Sequence, residues 1–432
     1  MVAGRCYHHP LQHGRGGRLV VEIDIDQPRL SDELEHLAGL SDAPAPAVTR
    51  VLYSDTDLAA RAYLKGLLAG TGLRLREDAL GNTFARWEGC EPGLPAVASG
   101  SHIDAVPHSG RFDGTVGVLG ALEAIRALQA AGFSPGRPIE LILFTSEEPT
   151  RFGLGCIGSR AMAGAVTPPQ LRRLEDEEGR NLDEVRRQAG FRGDLEDVRL
   201  PKGHYHAFVE LHIEQGPLLE REGVSIGVVE AIAAPTTLHV KLRGEGGHAG
   251  TVLMSERRDA LLAGTRIAQA VEEAARGTGS GNSIATVGIF DVHPRAANSI
   301  PSEVFLTVDA RDTELARRDT MVVAIRAAIA AEEARGVATE VEVINADPPV
   351  ICDAEVIQAI TAAAEEAGFW TRPLFGRAYH DALFMAQLCP SGMIFIPCRG
   401  GVSHRPDEYA EPEAIAAGVR VLARTLARLA TT

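Results

Sequence analysis

The chain has 432 residues, 45% of them hydrophobic and 23% charged, with a formal net charge of −15. Such a length builds a large core spread over two or three domains, and the acidic balance speaks against a phosphate backbone or an anionic membrane as partner. The six cysteines (Cys6, Cys90, Cys156, Cys352, Cys389 and Cys398) form no Cys-x-x-Cys pair, which fits neither a disulfide framework nor a cysteine-zinc site but does fit a reducing, cytoplasmic setting.

No apolar run reaches membrane-spanning length, and the opening MVAGRCYHHPLQHGRGGR lacks the apolar core of a signal peptide. Residues 1–20 read as a disordered tail in which His8, His9 and His13 carry no role. Residues 55–68 then show helical spacing, 95–101 read as a short buried strand, 115–131 as a small-residue helix and 138–145 as a second buried strand. This alternation predicts an open α/β sheet whose chemistry gathers on loops beyond the carboxyl ends of its strands.

From about residue 230 the rhythm changes. Strand 237–243, helix 256–276, strand 283–292, strand 303–309, helix 317–335 and strand 338–344 spell βαββαβ, the order of a ferredoxin-like unit. Helices at 354–367 and 381–388, a strand at 392–397 and a closing helix at 412–429 return to the first pattern. The expectation is a discontinuous catalytic domain, residues 21–230 and 346–432, interrupted by an inserted domain at 231–345.

Chemistry-bearing residues sit at the ends of the predicted strands. SGSHIDAVPHSGRFDG (99–114) brings His102 and Asp104 to one side of the chain and places Asp113 in a glycine-flanked turn before a helix. Taken singly, Asp113 reads equally as a helix cap and His102 as a loop histidine. FTSEEPTRFG sets Glu147 and Glu148 side by side, where a cation would relieve their repulsion, although a solvated acidic turn is the commoner meaning of such a pair. His212 and His404 lie in apolar, strand-like settings where a structural histidine is the usual finding. Together these imidazoles and carboxylates suit Zn, Mn, Co or Ni, and a bridging carboxylate permits two ions.

HIDAVPHSGRFDG, FTSEEPTRFGLGCIGSR, ELHIEQGPLLEREGVSIGVVEAIA, GEGGHAG, ANSIP, DARD and GGVSHRPDEY resemble, in order, the motifs of the amidase branch of the M20 metallopeptidase family, from about residue 55 to the end. The resemblance implies a mixed-sheet catalytic domain with an inserted ferredoxin-like dimerisation domain. It makes Asp113 a bridging ligand between His102 and His212 on one metal and Glu148 and His404 on the other, with Mn2+ the expected ion. It makes Glu147 the general base, Asp104 the residue behind His102, and Gln215, Asn298 and Arg311 substrate contacts. It also implies a homodimer in which His248 reaches the partner's active site to meet a developing oxyanion.

Members of that branch cleave ureido or amide groups beside a carboxylate. Thr251-Val-Leu-Met254 after His248, and Tyr379 with His380 in GRAYHD, depart from the carbamoylase pattern and resemble the ureidoglycolate-cleaving members. Tyr379 and His380 would then face the substrate hydroxyl, the alternative being that Tyr379 merely packs. Allantoate, an N-carbamoyl-L-amino acid or a dipeptide are the rival substrates, and a binding protein without catalysis is the rival class.

Overall fold

A computed structural model describes residues 22–91 and 93–431. The expected tail, with Cys6, His8, His9 and His13, lies outside the described residues. The organising strands are, in chain order, β1 (Arg74–Glu77), β2 (Thr83–Trp87), β3 (Ala96–Ser101), β4 (Ile139–Leu143), β5 (Tyr205–Ile213), β6 (Ile226–Ile232), β7 (Ala234–Arg243), β8 (Ile284–His293), β9 (Glu303–Asp312), β10 (Ala338–Ala346) and β11 (Ser391–Ile396). The chain divides into two compact units, one reaching to Glu230 and resuming over Cys352–Leu374 and from Tyr379, the other Ala231–Ile351 with Phe375–Ala378.

The larger unit is built on a sheet in the order β6-β11-β5-β3-β4-β2-β1. Its centre is parallel (β11 with β5, β5 with β3, β3 with β4) and its flanks antiparallel, which is the mixed α/β sheet expected. The parallel strands are buried along their length, so they read as continuous apolar or small-residue runs. Gly100 shows why β3 is so small in side chain: a Cβ there would stand 1.8 Å from the Ile142 carbonyl oxygen of β4.

Period-two alternation on β5 sorts the two faces of the sheet. Ala207, Val209, Leu211 and Ile213 join the core formed with helices Thr115–Ala130 and Pro412–Thr431. Phe208, Glu210 and His212 therefore turn to the opposite face, where the Ala382 N–H at the start of helix Asp381–Met385 donates to Glu210. The first of those helices lies close on the sheet because Gly117 has no Cβ to meet the Leu211 carbonyl oxygen 2.5 Å away.

The smaller unit carries an antiparallel sheet in the order β8-β9-β7-β10, the order of a ferredoxin-like unit. Alternate residues of β7 and β9, including Leu238, Val240, Leu306 and Val308, pack on Ile267 and Val271 of helix Ala260–Gly277 and Ile325 and Ile329 of helix Leu315–Glu333. The former helix begins at Ala260 rather than at residue 256, because Asp259 accepts from the Leu261 and Leu262 N–H groups and caps it there. Among the described residues no helix is long and apolar enough to cross a membrane, and Cys156, Cys352, Cys389 and Cys398 are free thiols.

Candidate metal centre

β3 ends in Ser101 and delivers His102 to a buried position beyond its carboxyl edge, and β5, its neighbour in the sheet, carries the buried His212 as its last residue but one. The Nδ1 atoms of both rings lie against backbone carbonyls, Asp104 O at 3.0 Å and Ile213 O at 2.9 Å. Donation there leaves a lone pair on each Nε2. Those Nε2 atoms face Asp113 Oδ1, at 3.5 Å from His102 and 3.1 Å from His212. His212 Nε2 also accepts the Gly114 N–H at 3.2 Å, while His102 Nε2 and Asp113 Oδ1 are opposed acceptors that a proton or a cation between them would reconcile.

The second oxygen of Asp113 serves the other half of the site. His404 Nε2 stands 3.2 Å from Asp113 Oδ2 and 3.2 Å from Glu148 Oε1. Two ligand sets, His102-Asp113-His212 and Asp113-Glu148-His404, thus meet at one carboxylate, the atoms of each within 4.8 Å of one another. Nitrogen and oxygen donors in this arrangement fit a pair of divalent cations.

The electrostatics carry the same message. Burial opposes charge on His102, but hydrogen bonds with Asp104 and Asp113 and the charge of Glu147 outweigh it and hold the imidazole well above its ordinary value. Burial likewise opposes charge on Asp113, yet His102, His212 and His404 hold it well below the usual carboxylate range. Hydrogen bonds with Asp113 and Glu148 push His404 up to about 11. Burial raises Glu147 well above its ordinary value, reinforced by Glu148, Asp381 and Asp113 and opposed by His102.

Glu147 is next to the cluster, its Oε2 3.7 Å from His102 Nε2. The Asp104 carboxylate accepts the Glu147 N–H at 3.2 Å and the Glu148 N–H at 3.0 Å, so it fixes the glutamate pair as well as standing behind His102. The Cys156 thiol donates to Glu147 Oε1 at 3.5 Å. Ser146, Cys156, Gln215 and His404 all have φ near +55°. Such left-handed backbone at side-chain-bearing residues is strained and collects at functional sites. Gly114 has φ +65°, and a Cβ there would stand 2.5 Å from the His102 ring.

The residues expected at the substrate are placed as follows. Gln215 Nε2 donates to Asp113 Oδ2 at 2.7 Å, so it touches the carboxylate that the two sets share. His380 is buried, packs edge-on to His212 with ring centroids 4.6 Å apart, and its Nε2 has no hydrogen-bond partner among the described residues. Tyr379 packs near Phe384, with the Arg160 guanidinium 5.9 Å from its ring centroid. His248, Asn298 and Arg311 belong to the smaller unit. There His248 pairs with Ser299 across a short ladder, the Asn298 carbonyl accepts from the Ala249 N–H, and Arg311 makes a two-point contact with Asp309.

Sequence reasoning missed Glu408, Ser403 and Glu210. Glu408 is buried, and burial with the Asp113 charge pushes it up to about 7. Its setting, Arg405-Pro-Asp-Glu408, is an ordinary charged turn, and only burial marks it out. Glu210 had a signal in the strand alternation it shares with His212.

The sequence profile of peptidase family M20/M25/M40 matches residues 98–428. A ureidoglycolate hydrolase of Arabidopsis thaliana is 50% identical over 435 aligned residues, covering 99% of this chain and 91% of that one. A crystal structure of AtUAH in complex with (S)-hydroxyglycine superposes with a TM-score of 0.87 at 50% identity, covering 94% of this chain and 98% of that one. A structure of AtUAH with glyoxylate gives the same values.

Proposed function

The chain belongs to peptidase family M20/M25/M40, and on that footing we propose that it is a metal-dependent amidohydrolase that cleaves the ureido group of (S)-ureidoglycolate. The observation that carries the chemistry is the meeting of His102, His212, His404 and Glu148 on the two oxygens of Asp113 with Glu147 alongside. The substrate is supported by the 50% identity to a ureidoglycolate hydrolase and by the (S)-hydroxyglycine and glyoxylate bound in the similar structures.

His102, Asp113 and His212 would hold one cation and Asp113, Glu148 and His404 another, Mn2+ being the expected ion and Zn2+, Co2+ or Ni2+ compatible with the same donors. Bound cations of this kind acidify water and polarise a carbonyl. Glu147, which stands beside the cluster, takes the proton from the attacking water and passes it to the leaving nitrogen. One C–N bond of the ureido group breaks and ammonia leaves. The remaining carbamate loses carbon dioxide to give hydroxyglycine, which releases a second ammonia to give glyoxylate.

The unpartnered Nε2 of His380 offers the substrate a polar contact beside the cluster. Gln215, Tyr379, Asn298 and Arg311 complete the substrate contacts, and the two-point grip of Arg311 on Asp309 is the geometry with which it would hold the substrate carboxylate. We also propose a homodimer in the cytoplasm in which His248 donates to the oxyanion formed in the partner's site. Exposed Leu253 and Met254 close to His248 support an apolar contact there.

Ammonia release from the Mn2+-loaded protein tests the reading, with (S)-ureidoglycolate, allantoate and N-carbamoyl-L-amino acids side by side. The highest kcat/KM is expected for (S)-ureidoglycolate. A higher value for allantoate or a carbamoyl amino acid would overturn the substrate, and no hydrolysis of any of them by protein that holds its cations would overturn the enzyme.

A further inference from the structure

The loops that carry Asp113 and His404 lie far apart in the chain, and one buried side chain joins them. Glu408 Oε1 accepts the Phe112 N–H at 2.8 Å and the Asp113 N–H at 3.1 Å. Its Oε2 accepts from Ser403 Oγ at 2.8 Å, and that hydroxyl also lies 2.8 Å from Asp113 Oδ2. Glu408 is only 3% exposed, in a turn whose neighbours Arg405 and Asp407 are exposed. Room for it is made by Gly110, where a Cβ would meet the Glu408 side chain at 2.2 Å.

We propose that Glu408 is a positioning residue for the metal centre, holding the backbone of the shared ligand Asp113 in register with the loop that presents His404. The proposal rests on the two-cation reading given above. A carboxylate shared by two cations has to present both oxygens at once, so a small rotation of residues 112–113 misplaces it for both. Acidic side chains normally avoid burial without a cationic partner. Glu408 is instead held by two backbone N–H groups and a hydroxyl, donors that belong to the two ligand loops.

Hydrogen-bond arithmetic gives the test its discrimination. Ser403 has one hydrogen to give and two carboxylates beside it. In Glu408→Gln the amide oxygen still accepts both N–H groups while the amide nitrogen donates to Ser403 Oγ, which frees the Ser403 hydrogen for Asp113. Every partner is satisfied, so Gln is expected to preserve the centre although the charge is gone. Glu408→Ala leaves two buried N–H groups and the hydroxyl without their acceptor.

The experiment is calorimetric titration of the full chain with Mn2+ after removal of bound metal, with thermal melts of each metal-free variant as the check on folding. Wild type and E408Q are expected to bind two equivalents with similar constants. E408A is expected to bind both equivalents ~10–100-fold more weakly, the usual effect of losing a group that orients a ligand. Ser403→Ala, which leaves the backbone contacts in place, is expected to show a smaller loss and serves if E408A does not fold. Wild-type affinity in E408A, or in S403A where E408A is unfolded, would overturn the proposal while leaving the two-cation reading intact, as would a loss in E408Q equal to that in E408A. Fewer than two equivalents on the wild type would instead overturn the two-cation reading.

Discussion

His404 Nε2 and Asp113 Oδ2 stand 3.2 Å apart, although the two residues come from distant parts of the chain. This contact, shared with Glu148, is what pushes His404 up to about 11. The folded value lies above the ordinary 6.5, so the contact stabilises the cation-free protein fully below about pH 6.5 and fades as the pH climbs through about 11. Near neutral pH His404 is therefore protonated and has to give up that proton to a cation. Cation uptake near pH 7.5 is therefore expected to release at least the His404 proton. Calorimetry in buffers of different ionisation enthalpy reads the number, and no release would contradict the ligand assignment.

Glu147→Gln removes the proposed proton acceptor but none of the side chains facing Asp113. It is expected to lower kcat by ~10²–10⁴-fold with two Mn2+ equivalents retained. Turnover kept near the wild-type rate would show that another group takes the proton.

Asp104→Asn tests the support behind the glutamate pair. The wild-type carboxylate accepts two backbone N–H groups, whereas an amide has one acceptor oxygen and turns its own donor toward the other N–H. A stability loss of about 1–3 kcal/mol and a ~10–100-fold weaker cation affinity are expected. Thermal melts and Mn2+ titration measure them separately, and unchanged affinity would reduce Asp104 to a purely structural role.

At Gly114 the test is steric. Gly114→Ala places a Cβ 2.5 Å from the His102 ring, on backbone with φ +65° that alanine adopts only under strain. The stabilisation that excess Mn2+ gives the wild type, about 2.7 kcal/mol at a hundredfold excess over the dissociation constant, should shrink in the variant. A variant that melts lower but gains as much from Mn2+ as the wild type does would show that the ring moves aside without cost to the centre.

The amino-acid sequence alone marked the strands at 95–101, 138–145 and 392–397, the βαββαβ order of the smaller unit and the types of the candidate ligands, but not the strands Arg74–Glu77, Thr83–Trp87, Tyr205–Ile213 and Ile226–Ile232. Buried strands betray themselves as unbroken apolar runs, helices by their spacing, and the βαββαβ order by their succession, all of which are local properties of the chain. His102, Asp113, Glu148, His212 and His404 were each visible at the end of a predicted strand or in a turn beyond one, yet singly each had an equally ordinary structural meaning. The tertiary structure decided their convergence, because the distance between His404 and Asp113 depends on strand order across the whole sheet and not on sequence spacing. It also decided Glu408, whose exposed-looking turn gives no local sign of burial, and the grip of Asp104 on the glutamate backbone. Hydrogen bonds between segments far apart in sequence obey no periodicity, so only the folded chain reveals them.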